Sequence, residues 1–408
     1  MRNFLVVGAG EFQRPLIECA AQDYQVVVAA PVVPDEFRQY VSDVVLCDVR
    51  DKETILRFAQ EHDICGVMTD QTDIAVRTVA YVAERMGLPG IGSETGELFT
   101  DKALMKKRMT ELGIPMLAHI VTSDEAEAIS FYRSLGKPVI LKPLDTQGSR
   151  GVFACLDEDA IRNHFAESAG WSSDGQVIVE QYIENGREFY IEGMAFDYQF
   201  TNLIIGDSDP FDIPDAFAAR TRISPSTAPS ELVSKVLELN KRIITGFGLK
   251  QGITESEFIS DGVDAYLLEA AARGGGTYCS SDQIPLRTGV QPERFLVDIA
   301  TGKLSEAPVP HETGIVCGYL AFYLPVGTVV EIRGREEVQG LPYVHRNQLS
   351  SIHEGLVIDK GPEDKTSRFA ITVSAQSREE LLERMEGIKK VLEVTVATPE
   401  GGHAGIIW

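Results

Sequence analysis

The sequence predicts an α/β and α+β protein in three parts: a doubly wound N-terminal domain, a mixed middle section and a strand-rich C-terminal domain. Apolar runs alternate with predicted helices through residues 1–95, a stretch punctuated by glycine and proline follows, and short apolar runs dominate after residue 310. The chain has 408 residues, of which 44% are hydrophobic and 24% charged, as in an ordinary globular protein of about two to three domains.

Charge and cysteine spacing exclude several classes of protein. Lys and Arg number 38 and Asp and Glu 61, and the net charge of −23 repels nucleic acids and anionic lipid surfaces. The six cysteines form no CxxC pair, so we expect reduced thiols rather than a zinc ribbon or a dithiol redox motif. The sequence contains neither a signal-peptide pattern nor an apolar run long enough to span a membrane. We therefore expect a cytoplasmic protein that binds no nucleic acid and no membrane.

Residues 1–95 read as a doubly wound sheet with a ligand-binding edge. The strand 3–7 ends in Gly8-Ala9-Gly10, and helices and strands then alternate as in parallel βαβ units. Gln13 stands where a dinucleotide fingerprint has its third glycine, so we favour a turn that holds substrate at the carboxyl ends of the strands. The acidic segment 69–73 follows another strand at the same edge. It is either a substrate contact or the N-cap of the next helix.

The middle section contains a lysine, a glycine turn and backbone segments in an order suited to a nucleotide. Lys142 ends an apolar run and the turn 147–152 follows, so the lysine and the turn amides can hold phosphates. Alternatively, Lys142 lies on an edge strand with its ammonium group in water. The run 177–183 offers backbone groups to an adenine edge, and Glu188 offers an acceptor for ribose hydroxyls. Alternatively, the run and the segment that contains Glu188 form an exposed hairpin. Four prolines predict that 206–229 is a long surface loop.

Glu257 and Glu269 form the sharpest candidate pair. A turn signal at 260–262 separates their two apolar segments, so an antiparallel hairpin places both carboxylates on one face. Two adjacent carboxylates repel each other unless a cation lies between them, and oxygen ligands suit Mg²⁺. Arg273 precedes three glycines and adds a bidentate donor for phosphate or carboxylate. A solvated face of a hairpin is the alternative.

In this order the motifs resemble the ATP-grasp superfamily, and in particular its carboxylate–amine (amino-acid) ligases. The motifs that carry the resemblance are Lys102, Lys142 before a glycine turn, 180–183 with Glu188, Glu257, and Glu269-x-x-x-Arg273-Gly-Gly. The resemblance extends over nearly the whole chain. It implies an N-terminal pre-ATP-grasp α/β domain over 1–95, an ATP-grasp domain over 96–310 and a C-terminal α+β domain over 311–408.

The resemblance also implies a role for each residue. ATP would be bound by Lys102, Lys142, Ser149, Arg150, Gly151, Glu180, Gln181, Tyr182, Ile183 and Glu188, with 149–151 as a lid. One or two Mg²⁺ ions, or Mn²⁺, would be bound by Glu257 and Glu269. The catalytic residues would be Arg273, Lys142 and Ser149. Substrate contacts are expected at Gly10, Glu11, Asp70, Asp73, Arg273 and Gly275. Ala271 departs from the family pattern, which has Asn there, and this puts a second metal ion in doubt.

The activity that the resemblance implies is an ADP-forming ligase, which joins a carboxylate to an amine through an acyl phosphate. Its partners would be small molecules, an amino acid or small carboxylic acid and an amine, and many proteins of this architecture form homodimers. Two alternatives stay open. One is a bicarbonate-using carboxylase of the biotin carboxylase or purine-synthesis type, and the other is a non-catalytic ATP-binding scaffold, which Ala271 motivates.

Overall fold

Four β-sheets organise the chain in a computed structural model that describes residues 1–144, 150–213, 217–362, 364 and 367–408. The strands are β1 (Asn3–Val7), β2 (Gln25–Ala30), β3 (Val41–Leu46), β4 (Ile64–Met68), β5 (His119–Thr122), β6 (Val139–Pro143), β7 (Phe153–Cys155), β8 (Val177–Gln181), β9 (Arg187–Phe196), β10 (Gln199–Pro210), β11 (Ala219–Ser224), β12 (Gly252–Ser260), β13 (Ala265–Ala271), β14 (Val316–Phe322), β15 (Gly327–Arg333), β16 (Val344–Asn347), β17 (Val357–Ile358), β18 (Phe369–Ala375), β19 (Glu393–Ala397) and β20 (His403–Ala404).

The helices are α1 (Arg14–Ala20), α2 (Lys52–Glu61), α3 (Val76–Met86), α4 (Ser93–Leu98), α5 (Lys102–Glu111), α6 (Glu125–Leu135), α7 (Glu158–Gly170), α8 (Ser230–Gly246), α9 (Ile284–Thr288), α10 (Pro292–Ala300), α11 (Arg335–Gln339) and α12 (Arg378–Val391). Side-chain caps fix several starts: Asp51, Asp101 and Asp157 each accept an amide proton from the first turn of the helix that follows. In the described part of the chain, no helix is long and apolar enough to cross a membrane.

The N-terminal sheet is parallel, with the order β3-β2-β1-β4. Strands β1, β2 and β4 are nearly continuous apolar runs because helices cover both faces, whereas the edge strand β3 is largely exposed. Helices α2 and α3 pack together on one side, while α1 and α10 pack together on the other, where α10 also lies against β4. The prediction of a doubly wound N-terminal unit is confirmed. Because α10 comes from the middle section, it ties this sheet to the residues that follow the 274–276 glycine turn.

A second, antiparallel sheet has the order β5-β8-β6-β7, and α6 and α7 pack on it. Strand β6 carries Lys142 and is paired on both sides, with β7 and with β8. The alternative of an edge strand at Lys142 is therefore wrong.

The largest sheet has eight strands in the order β13-β12-β9-β10-β11-β14-β18-β16. All of its pairings are antiparallel. Strand β9, which carries Glu188, lies between β10 and β12, so an exposed hairpin at this position is also wrong. Strands from both sides of residue 310 belong to the same sheet, since β11 pairs with β14. A fourth, smaller sheet, β17-β15-β19-β20, completes the C-terminal part.

The expectation of a long surface loop over 206–229 is wrong. Strand β10 runs to Pro210, and β11 occupies Ala219–Ser224 with a largely buried pattern. The prolines interrupt no central part of the ladder: Pro210 is the last residue of β10 and Pro225 directly follows β11. A proline at a strand end removes no hydrogen bond that the sheet needs, so counting prolines misjudged the segment.

Candidate functional site

The carboxylate pair lies on neighbouring strands, as the sequence predicted. Glu257 on β12 is directly opposite Glu269 on β13. The Lys102 ammonium at the start of α5 lies 3.0 Å from Glu269 Oε1, and the Arg222 guanidinium on β11 pairs with Glu257. The alternative of a purely solvated face is wrong, because both carboxylates line a cleft of about 280 Å³ and each has a cationic partner.

Alternating charges continue across the floor of this cleft. Arg222 pairs with Glu255 as well as with Glu257, and Glu255 also pairs with Arg273. Arg273 in turn holds Asp73 of the N-terminal part with two parallel bonds of 2.7 and 2.8 Å. This fork geometry is the one that a guanidinium forms with a carboxylate. The network joins the N-terminal sheet to the eight-stranded sheet.

Asp73 therefore does not act as a helix cap. The residue before α3 is Ala75, and it provides no side-chain cap. The carboxylate of Asp73 is instead directed towards Arg273 and lines the cleft. Of the two interpretations of 69–73, the helix N-cap is wrong. Asp73 instead lies beside the cleft.

The glycine turn after Arg273 is packed so closely that side chains do not fit at two of its positions. The Gly274 amide donates to Asp70 Oδ1 at 2.8 Å, and the Gly275 amide donates to both oxygens of Glu192 at 3.0 and 3.1 Å. A Cβ on Gly274 would overlap Ser280, and one on Gly275 would overlap the Glu192 carboxylate. The two glycines thus allow the backbone to meet two buried acids.

Two residues directly after this turn have an unusual backbone. Thr277 and Tyr278 have φ angles of 61° and 59°, in the left-handed region that residues other than glycine seldom adopt. The Tyr278 amide donates to Gln71 Oε1 at 3.2 Å, and its hydroxyl donates to Glu11 Oε1 at 2.7 Å. Strained backbone of this kind persists where the surrounding contacts fix it, and such positions cluster at functional sites.

Burial perturbs the two acids that hold the turn. It raises the pKa of Asp70 to about 7, and one oxygen of this carboxyl has no hydrogen-bond partner among the described residues. Burial also raises the pKa of Glu192 well above the ordinary value, and neighbouring Glu255 acts in the same direction. Asp70 and Gly275 were predicted substrate contacts. Asp70 Oδ1 and the Gly275 amide bond to the protein itself, and neither residue is among those that line the cleft.

A buried ion triad lies where the second sheet faces α5. Glu180 is only 1% exposed and pairs with Lys142 at 3.0 Å and with Lys106. Burial alone would raise the pKa of Glu180, but Lys142 and Lys106 outweigh it and lower the pKa to about 2. Lys142 is 14% exposed and does not extend into bulk water. The triad, Lys102 and apolar residues such as Ile178 and Leu267 line a small cavity.

Two of the backbone amides predicted to face adenine are already used. The Gln181 amide donates to the Ala118 carbonyl at 2.8 Å, and the Tyr182 amide donates to the Pro138 carbonyl at 2.9 Å. An adenine edge at 180–183 would therefore rely on carbonyl groups and on Ile183.

The N-terminal glycine turn is filled by the protein's own side chain. Gln13 accepts a hydrogen bond from the Gly10 amide at 2.9 Å and donates to the Asp70 carbonyl at 2.8 Å. The Gln13 side chain is also the group nearest to the positions that Cβ atoms would occupy on Gly8 and Gly10. This leaves the Gly10 amide engaged and places a side chain where a dinucleotide fingerprint would receive a pyrophosphate.

The predicted lid is only partly described. Ser149 lies outside the described residues. Arg150 lines the cleft and its guanidinium lies 5.3 Å from the centre of the Trp171 ring, while Gly151 has a φ of 71° with Trp171 and Pro143 close to it.

Sequence reasoning missed five charged residues of the site: Lys106, Glu192, Arg222, Glu255 and Arg368. Arg222 was missed because its segment was assigned to a loop. Glu255 had a visible signal, since it lies two positions before Glu257 and strand periodicity directs both to one face. Glu192 and Arg368 had no local signal. They join the site only through the pairing of distant strands.

The residues present fit a divalent cation bound together with nucleotide phosphates. Within the described ranges, no group of three or more His, Cys, Asp or Glu residues is arranged to hold a metal by itself. Glu257 and Glu269 nevertheless offer oxygen ligands from adjacent strands, and Lys102 and Arg222 show that positive charge is stabilised there. Ala271 is buried opposite Glu255 and adds no ligand.

Comparison with known proteins agrees with this geometry. Residues 101–256 match the family "Carbamoyl-phosphate synthase L chain, ATP binding domain". Among curated relatives, alanine–anticapsin ligase of Bacillus subtilis (strain 168) is 24% identical over 281 residues, 63% of this chain and 59% of that protein. The chain spans less than two thirds of the length of these and other curated relatives that it matches.

Solved structures match almost the whole chain. The L-amino acid ligase from Bacillus licheniformis superposes with a TM-score of 0.79 at 20% identity, covering 97% of this chain and 98% of that one. The biotin carboxylase domain dimer of Hydrogenobacter thermophilus 2-oxoglutarate carboxylase, in complex with MgADP, ADP and bicarbonate, superposes with a TM-score of 0.77 at 18% identity. That match covers 99% of this chain and 91% of the domain. The chain therefore has the fold of these solved structures, and its residues 101–256 are similar to the ATP-binding domain of carbamoyl-phosphate synthase large chains.

Proposed function

We propose that the protein is an ATP-dependent ligase that joins a small carboxylate to an amine, releasing ADP and phosphate. The observation that carries this proposal is the cross-strand pair Glu257 and Glu269, which faces a cleft together with Arg273. The names of two similar proteins, an alanine–anticapsin ligase and an L-amino acid ligase, support an amino acid as one substrate.

The proposed reaction has two steps. An oxygen of the substrate carboxylate attacks the γ-phosphorus of ATP, and the bond from this phosphorus to the β–γ bridging oxygen breaks, which gives an acyl phosphate and ADP. The amine nitrogen then attacks the acyl carbon, phosphate leaves with the electron pair of the C–O bond, and the nitrogen loses a proton. Because the carboxylate and ATP are both anionic, catalysis consists mainly of positioning and of offsetting charge.

The residues would divide this work as follows. Lys102 and Lys142 would hold phosphate oxygens, Arg273 would stabilise charge on the transferred group, and 149–151 would close over the phosphates. Glu257 and Glu269 would hold Mg²⁺, which offsets phosphate charge when bound. The carbonyls of 180–183 would contact adenine and Glu188 the ribose. A homodimer is part of the proposal, supported by the dimer named for the biotin carboxylase domain.

The test is ADP release with Mg-ATP across pools of amino acids, small carboxylic acids and bicarbonate, followed by mass spectrometry. ADP formation that requires both a carboxylate and an amine, with a new amide mass, is the expected result. A bicarbonate-dependent carboxylase is the second candidate, favoured by the bicarbonate named in the complex of the similar domain. Incorporation of ¹³C from bicarbonate would identify it. ATP binding without ADP from any pool would contradict both enzymes and favour a scaffold.

Site variants make the test specific. Glu269→Gln is expected to lower turnover far more than it weakens ATP binding, because a metal ligand stabilises the transferred group more than bound ATP. Glu111→Gln is the matched control, since Glu111 pairs with Arg108 on the surface of α5. Equal, modest effects of Glu269→Gln on turnover and on binding would contradict the metal role.

A further inference from the structure

A buried lysine at the ion triad has hydrogen-bond donors that the protein does not use. Lys106 on α5 is 7% exposed. Its ammonium group pairs with Glu180, a carboxylate that it shares with Lys142. Among the described residues, Glu180 is the only acceptor for the Lys106 ammonium group. An ammonium group carries three N–H bonds, so two of them are left for a ligand. Buried donors without a partner cost free energy, which an acceptor on a ligand would recover.

Helix α5 places this lysine away from the metal end of the site. Lys102, Met105, Lys106 and Met109 recur at helical spacing on one face of α5, and all four line the small cavity at the triad. The Lys102 ammonium group lies 3.0 Å from Glu269 Oε1, where the metal ion is proposed to bind. Lys106 is one turn, about 6 Å, further along the helix axis. Its carboxylate partner begins the segment predicted to contact adenine, so Lys106 lies at the base end of the nucleotide site.

The walls around Lys106 suit a flat base better than a phosphate group. Ile178 and Leu267 line the cavity together with Met105 and Met109. A phosphate group would lose hydration among these side chains, whereas the faces of a purine ring would bury apolar surface against them. The cavity has about 10 Å³, less than a base needs, but the flexible side chains of the two methionines can move to admit one. Lys106 is thus placed to contact the edge of a base.

The hydrogen-bonding groups at this end match a base with a carbonyl at position 6. Both oxygens of Glu180 are bonded to lysines, and the amides of the next two residues are bonded to backbone carbonyls. The groups left for a base edge are the Lys106 ammonium group, backbone carbonyls of this segment and Ile183. A 6-oxopurine presents the acceptor O6 beside the donor N1–H, whereas adenine presents a 6-amino donor beside the acceptor N1. The ammonium group and a neighbouring carbonyl therefore complement the 6-oxopurine edge.

We propose that Lys106 donates a hydrogen bond to the 6-oxo group of a purine base, so that hypoxanthine and guanine nucleotides bind in addition to adenine nucleotides. Adenine would bind through the carbonyls of 180–183 and through Ile183, without Lys106. This inference rests on the nucleotide site of the proposed ligase and adds a second class of phosphoryl donor, a 6-oxopurine nucleoside triphosphate. The reaction itself is unchanged, since the base takes no part in phosphoryl transfer.

Calorimetry with Mg-ADP and Mg-IDP tests this contact without turnover, because the two ligands differ only at positions 1 and 6 of the base. For the wild type, the two Kd values are expected to agree within about tenfold. In Lys106→Met, the Kd of Mg-IDP should rise about tenfold or more, as for a lost hydrogen bond from a charged donor. The Kd of Mg-ADP should change by less than about threefold, so the ratio of the two values reports the contact with the base.

Two further variants accompany this one. Lys106→Arg keeps a cationic donor and should retain most of the affinity for Mg-IDP that Lys106→Met loses. Lys107→Met is the matched control, because Lys107 is the exposed neighbour on the same helix, and it should leave both Kd values unchanged. If Lys106→Met folds poorly, the comparison of Mg-ADP with Mg-IDP in the wild type still decides, since it needs no variant. In turnover, Mg-ITP should replace Mg-ATP with a kcat/KM within about tenfold.

The outcomes separate this inference from the proposed function. A wild-type Kd for Mg-IDP more than about tenfold above that for Mg-ADP would overturn the role of Lys106 and leave an ATP-specific ligase intact. An unchanged ratio in Lys106→Met, whether both ligands bind as before or both bind more weakly, would make the residue structural or a phosphate contact and would also overturn it. Binding of both diphosphates with the expected ratios, but no nucleoside diphosphate released with any substrate pool, would overturn the ligase and leave this inference standing.

Discussion

Asp70 gives the protein a pH dependence that can be worked out from its surroundings. Burial raises the pKa of its carboxyl from 3.8 to about 7. Between these values the unfolded chain loses this proton while the folded chain keeps it, so the free energy of unfolding falls as pH rises. The full shift corresponds to about 4 kcal/mol, of which about 2 kcal/mol falls between pH 5.5 and pH 8.5. In Asp70→Asn the amide oxygen can still accept from Gly274, but the group no longer titrates.

Urea unfolding followed by circular dichroism at pH 5.5 and pH 8.5 measures this contribution. Relative to the wild type, Asp70→Asn is expected to gain about 2 kcal/mol on going from the lower to the higher pH. Asp48→Asn is the control: Arg50 lowers the pKa of Asp48 to about 2, so this carboxyl titrates outside the measured range. A constant difference between wild type and Asp70→Asn at both pH values would refute the reasoning.

Three further predictions concern the contacts around the cleft. Gly275→Ala should lower the free energy of unfolding by about 1–3 kcal/mol, because the Cβ of the new alanine would displace buried Glu192. A Cβ on Gly276 has open space around it, so Gly276→Ala should be close to neutral in the same urea titration. Lys142→Met and Lys106→Met should both destabilise the protein, because each removes a partner of Glu180. Only Lys142→Met should also raise the Kd of Mg-ATP, by about tenfold or more in calorimetry. Equal Kd values for the two variants would contradict a contact between Lys142 and a phosphate. Arg222→Met should lower the free energy of unfolding by about 3 kcal/mol, since it removes a buried cation that Glu255 and Glu257 share; an unchanged stability in the urea titration would contradict this explanation.

Local patterns were sufficient to predict much of the fold. The predicted strand over 3–7 coincides with β1, because hydrophobic patterning acts over a few residues. The failures have a common cause. Strand β11 pairs with β14, which is distant in sequence, and a stretch with four prolines gives no local sign of that neighbour.

The candidate site divides in the same way. Glu257 and Glu269 were predicted as a pair because a short turn joins their strands, which fixes their register. The partnership of Arg222 with Glu255 was not predictable in this manner, since it depends on two further strands lying between β12 and β11. The role of Gln13 is similar: its position suggested a defective fingerprint, whereas its amide fills the turn and contacts Asp70.

The joining of β11 to β14 also has a consequence for engineering. A truncation at residue 310 would remove β14, β18 and β16 and expose the backbone hydrogen-bonding groups of β11 along a new edge. Exposed edges of this kind recruit strands from other chains and lead to aggregation. The C-terminal hundred or so residues are therefore not an exchangeable cassette, and chimaeras between related enzymes should place their junctions outside the eight-stranded sheet, before α5 for example.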